Sequence, residues 1–162
     1  MPTGVLVHQS SYPDFFGPVS FANRALITLT TGQIAYIPIF VATENPSGEP
    51  ARHWFVDGAD VTLSLASGTF ATTITGTLVR IPTGSDWTAQ VAGSANGSEV
   101  ALSSATAVSA ENALTHITPT GGSPDANRLT AGDVLALKLT NGTGGTVTGH
   151  VAGTAMMRNR KL

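Results

Sequence analysis

Along most of this chain apolar residues alternate with Thr, Ser and Gly at a period of two, the pattern of half-buried β-strands. Val61, Leu63 and Leu65 alternate with Thr62 and Ser64, and Leu135, Leu137 and Leu139 alternate with Ala136 and Lys138. Strands are predicted at 25–30, 33–43, 61–65, 70–81, 87–92, 99–103, 114–118, 135–139 and 146–156. The last two read as one hairpin, closed by the positive-φ residues Asn141-Gly142-Thr143-Gly144-Gly145. The strand at 33–43 is apolar on both faces, with Ile34, Tyr36 and Phe40 on one side and Ile37, Ile39 and Val41 on the other. Such a strand lies in a covered sheet or faces a partner chain. Pro38 inside it removes a ladder donor and predicts an edge or a bulge. The Ala-rich stretch 101–113 admits a short helix. The sum is about nine short strands separated by Gly, Asn, Ser and Pro turns, which predicts an all-β sandwich or jelly roll as a single domain at 25–157.

Residues 1–24 depart from this pattern. Val5-Leu6-Val7 could form a short strand, but Tyr12-Pro13-Asp14-Phe15-Phe16-Gly17-Pro18 and Phe21 make an aromatic arm that reads as irregular. Tyr12, Phe15, Phe16 and Phe21 must be buried, either against the chain's own sandwich or against a neighbouring subunit. The same holds for Ile37, Ile39 and Val41, which a second layer or a partner has to cover; these seven residues are the expected partner contacts. Residues 158–162 form a basic tail, with Arg158, Arg160 and Lys161 among the chain's eight Lys and Arg.

Composition narrows the function. The 162 residues include no Cys, so disulfides and thiolate metal sites are excluded. A formal net charge of -2 offers no basic field for nucleic acid. Charged residues are 11% of the chain against a usual value of about 25%, which leaves a largely neutral surface suited to packing against other proteins. No apolar run reaches the ~18 residues of a membrane span, and Met1-Pro2-Thr3 does not open a signal peptide. The sequons at Asn96 and Asn141 read as turn residues.

No catalytic arrangement emerges. His8, His53, His116 and His150 lack metal-ligand spacing. Asp57, Asp60, Asp125 and Asp133 are expected to cap backbone N–H groups beside strand starts. There is no Gly-x-Ser-x-Gly elbow and no Walker loop. The expected protein is not an enzyme and uses neither cofactor nor metal. Arg52-His53-Trp54-Phe55 and Trp87 could stack on sugars or pack internally.

The segment Leu129-Thr130-Ala131-Gly132-Asp133-Val134-Leu135-Ala136-Leu137 echoes Gly58-Ala59-Asp60-Val61-Thr62-Leu63. With the runs Gly68-Thr69-Phe70-Ala71-Thr72-Thr73 and Val79-Arg80-Ile81-Pro82-Thr83-Gly84, it resembles the small β-sandwich virion proteins of tailed bacteriophages, including capsid decoration (cement) proteins. The resemblance covers about residues 57–157. It implies a structural protein made in the host cytoplasm and carried on the virion capsid surface. The implied partners are the major capsid protein and further copies of itself, as a homotrimer. The competing expectation is a tail or fibre module that binds host-surface carbohydrate.

Overall fold

The computed structural model of this chain describes residues 15–23, 25–43, 52–69, 74–85, 90–92, 95, 97–108, 111–121, 124–142 and 144–161. Val5-Leu6-Val7, Tyr12, residues 70–73, Trp87 and Asn96 lie outside the described residues. Among the described residues the chain is all-β, with two antiparallel sheets of six strands each. The first sheet holds β1 (Phe15–Ala22), β2 (Ile27–Leu29), β4 (Arg52–Ser67), β9 (Thr115–Ile117), β10 (Arg128–Leu129) and β12 (Val147–Lys161). The second holds β3 (Ile34–Val41), β5 (Ile74–Ile81), β6 (Gln90–Ala92), β7 (Val100–Ala101), β8 (Thr106–Ala107) and β11 (Val134–Asn141).

The short strands share edges. β1 and β2 run consecutively along β12, β9 and β10 along β4, and β7 and β8 along β5. Merging each pair and setting β6 aside leaves eight segments. Their order is first, eighth, third, sixth in one sheet and second, seventh, fourth, fifth in the other. This is a jelly roll: one long antiparallel hairpin rolled up so that its limbs fall alternately into two sheets.

The strand pattern puts Ala35, Ile37 and Ile39 of β3, Ile74 and Leu78 of β5, Val61 and Leu63 of β4, Leu135, Leu137 and Leu139 of β11 and Val151, Ala155 and Met157 of β12 into one core between the sheets. Core side chains close-packed from both sheets supply the main stabilisation.

Four local expectations are corrected. Within the segment read as an irregular arm, Phe15–Ala22 is strand β1, paired through eight residues with β12. Pro18 is accommodated because β1 is an edge strand, where one side of the backbone needs no ladder partner. The basic tail is likewise strand, since β12 continues to Lys161 opposite Arg52 of β4. The expected terminal hairpin is instead an arch between sheets. β11 is buried on both faces and pairs with β3 and β5, whereas β12 pairs with β1, β2 and β4. The Ala-rich stretch forms no helix among the described residues; Leu102 and Val108 take core positions on either side of β8. Pro38 behaves as read: the free part of the β3 edge begins beyond Tyr36, and the register with β11 shifts between Leu135 and Ala136.

The two-faced character of β3 has an internal explanation. Its second face, Ile34 and Tyr36, joins Val79, Ile81 and Ala136 in a smaller apolar cluster on the outer side of the second sheet. After β5 the chain crosses to the opposite edge to add β6 beside β3, then returns to pair β7 with β5. On the return Glu99 accepts hydrogen bonds from the Tyr36 hydroxyl and the Lys138 ammonium, one from each of the strands it passes over. Glu99, a nearly buried carboxylate, thus ties the approach to β7 to the outer side of the second sheet. Glu99→Ala removes the carboxylate these two donors share, a loss of about 1–3 kcal/mol. It is expected to speed amide hydrogen exchange in β6 while β11 stays protected; unchanged exchange in β6 would refute the pinning role.

Candidate interaction surface

With the second sheet covered, the open face of the domain is the outer side of the first sheet. The strands cross it in register. Ser20 of β1, Thr154 of β12, Asp60 of β4 and His116 of β9 form one row. Ala22, Ala152 and Thr62 form the next, and His150 and Ser64 a third. Their neighbours along each strand, such as Phe21, Val61, Leu63, Val151 and Ala155, point into the core, so period two turns these residues outward. Most of these side chains are small and uncharged: Ser20, Ala22, Thr62, Ser64, Ala152 and Thr154. The one carboxylate of the three rows, Asp60, lies 2.7 Å from Nδ1 of His116. No Lys or Arg stands in these three rows.

Both edges of this face carry an exposed leucine. Leu26, 50% exposed, precedes Ile27, which pairs with Gly149 beside His150. Leu114, 68% exposed, precedes Thr115, which pairs with Val61 beside Thr62.

The same sheet ends in a different chemistry. Phe55 points outward, since Trp54 and Val56 on either side of it pack on the core. It is nevertheless only 1% exposed, with the Arg160 guanidinium 5.0 Å from its ring centroid. Arg128 and Arg158 are its register partners on β10 and β12.

The residues expected to contact a partner scatter. Phe21 is buried in the core. Phe15 and Phe16 stand on β1 opposite Asn159 and Arg158. Ile37 and Ile39 face the other sheet, which is the second layer that covers them. Val41 remains 54% exposed at the end of β3. The sugar platform is not assembled: Trp54 packs inward with its ring centroid 4.6 Å from that of Phe40, and Phe55 lies under Arg160. Asp133 caps backbone N–H groups as expected, those of Thr130 and Thr83. Asp57 and Asp60 lie inside β4, longer than predicted, and reach sideways to Arg158 and His116; Asp125 pairs with Arg128. Asn141 is fully buried and donates to the carbonyls of Leu29 and Gly145, so it is a structural turn residue. The outward rows and the Arg–Phe55 cluster were not legible as sites, because their members are up to 134 residues apart, as Ser20 and Thr154 are, and meet only through strand register.

Among the described residues no group of three or more His, Asp or Glu side chains is placed to hold a metal ion, and no helix is long and apolar enough to cross a membrane. No protein-family model, no curated protein and no solved structure matches this chain.

Proposed function

We propose that this chain is a non-enzymatic virion structural protein. In this reading it is a capsid decoration protein of a tailed phage, which stabilises the head by bridging capsid subunits and assembles as a homotrimer. One observation carries the reading: the two outer faces are treated oppositely. The second sheet is sealed by the chain's own crossover, while the first presents neutral rows flanked by Leu26 and Leu114. In a closed cyclic assembly every charge near the axis meets its own copies, so a face without unpaired charge suits self-association. The jelly-roll order and the resemblance around Asp133 support the virion context.

Light scattering tests the assembly, with a species of three 16.5 kDa chains expected. Ala152→Glu, in the middle row, is expected to give folded monomer, because each copy would bring a like charge to the contact. Incubation with undecorated capsids followed by imaging tests the location. Density on the head lattice is expected; density on the tail, or glycan binding without capsid binding, would overturn the decoration role.

A further inference from the structure

We propose that the arginine-rich end of the first sheet is a docking surface for a carboxylate-rich peptide segment of a partner protein. It lies beyond the three neutral rows and stands whether or not copies associate through them.

The observation is an uneven distribution of cations. Three described cations, Arg128, Arg158 and Arg160, stand on β10 and β12 at this end, on either side of Phe55 of β4. Of the other described cations, Lys138 pairs with Glu99, and Arg80 lies 3.9 Å from the nearly buried Asp133 and donates from Nη1 to the Arg128 carbonyl, its Nε being buried without an acceptor. Here the described carboxylates are Asp57 and Asp125. Asp57 binds Arg158 through a single oxygen, Oδ1, which accepts from Nε at 2.9 Å and Nη2 at 2.6 Å. Asp125 is exposed and 3.7 Å from Nη1 of Arg128. Arg160 has no carboxylate partner among the described residues, and its Nε is buried without an acceptor.

Geometry makes this surplus a recognition surface. Arg128, Phe55 and Arg158 stand in one row across three adjacent strands, and Arg160 follows on β12 opposite His53 of β4. Adjacent strands are about 4.8 Å apart, so the row spans about 10 Å. The stack of Arg160 on Phe55 and the anchor of Arg158 on Asp57 hold two guanidiniums in fixed orientations, which lowers the ordering cost of binding. Fixed guanidiniums favour paired hydrogen bonds to planar carboxylates.

The test titrates full-length protein with acetylated hexaglutamate at low ionic strength (about 0.01 M, where screening extends over about 30 Å). Binding is followed by calorimetry and by NMR of backbone amides and arginine Nε–H groups. Hexaglutamate is expected to shift the signals of Arg128, Arg158 and Arg160, and Arg128→Gln with Arg160→Gln to weaken binding at least about tenfold. If that pair of changes unfolds the chain through loss of the Phe55 stack, Arg128→Gln alone, at an exposed edge, is expected to weaken binding about threefold. Absence of binding, shifts confined to other residues, or tighter binding of inorganic phosphate, heparin oligosaccharide or single-stranded DNA at the same signals would overturn the proposal.

Discussion

Phe21→Ala is expected to destabilise the fold by about 3–5 kcal/mol, the usual cost of removing a buried phenyl ring. In a chain of this length that lowers Tm by roughly 10 °C. Phe21 extends from edge strand β1 into the main core and packs against β12 at Gly153. A Cβ at Gly153 would sit 2.6 Å from Cζ of Phe21 and 2.4 Å from the carbonyl oxygen of Asp60. The slot is therefore walled partly by backbone of two central strands. Backbone in a paired sheet cannot collapse inward, so truncating the ring leaves a cavity. Calorimetry of the purified variant measures the loss. The expectation that Phe21 anchors a partner requires the reverse result, unchanged stability with lost assembly; that outcome would remove Phe21 from the core account.

Asp133→Ala is expected to destabilise by about 1–3 kcal/mol, because it removes a buried charged acceptor from the partly buried donors of two turns. Asp133 is 3% exposed. Its Oδ2 accepts from the Thr130 backbone N–H and hydroxyl, both at 2.8 Å, and its Oδ1 from the Thr83 N–H at 3.1 Å. It thus ties the turn entering β11 to the turn leaving β5. Gly132 belongs to the same device: its φ is +86°, and a Cβ there would lie 2.4 Å from the Thr83 hydroxyl oxygen. Asp133→Asn keeps one acceptor oxygen and should lose less. Urea midpoints of the two variants check the ranking; an alanine variant within about 0.5 kcal/mol of the parent would rule out the clamp, that being the range of an ordinary surface change.

The Gly132-Asp133 pair is the point where sequence resemblance and physical chemistry meet. The Gly-Asp phrase was readable as a mark of a late strand in a jelly roll, and its turn geometry explains why glycine and aspartate are needed there. The rest of the chemistry was less readable. Asp57 and Asp60 look like turn caps in sequence because Gly58 interrupts them. In the fold β4 runs straight through that glycine with a bulge opposite Met156 and Met157, and the two carboxylates become cross-strand partners. Trp54 and Phe55 look like one platform, yet strand alternation sends them to opposite faces.

By itself the sequence determined the all-β class, most strand positions and the residues of the core, because period-two alternation and Gly or Pro punctuation are local properties. It also determined that β3 must be covered on both faces. Which strands share a sheet was decided only by tertiary structure. The arch after Asn141 and a hairpin there have the same turn residues, and the choice depends on whether β11 finds β3 and β5 as neighbours. What covers β3 was decided there too, since the crossover through β6 and Glu99 joins segments more than fifty residues apart. The open neutral face and the arginine end exist only once register is set. A strand's sequence says which residues share a side; only its neighbours say whether that side meets core, cover or solvent.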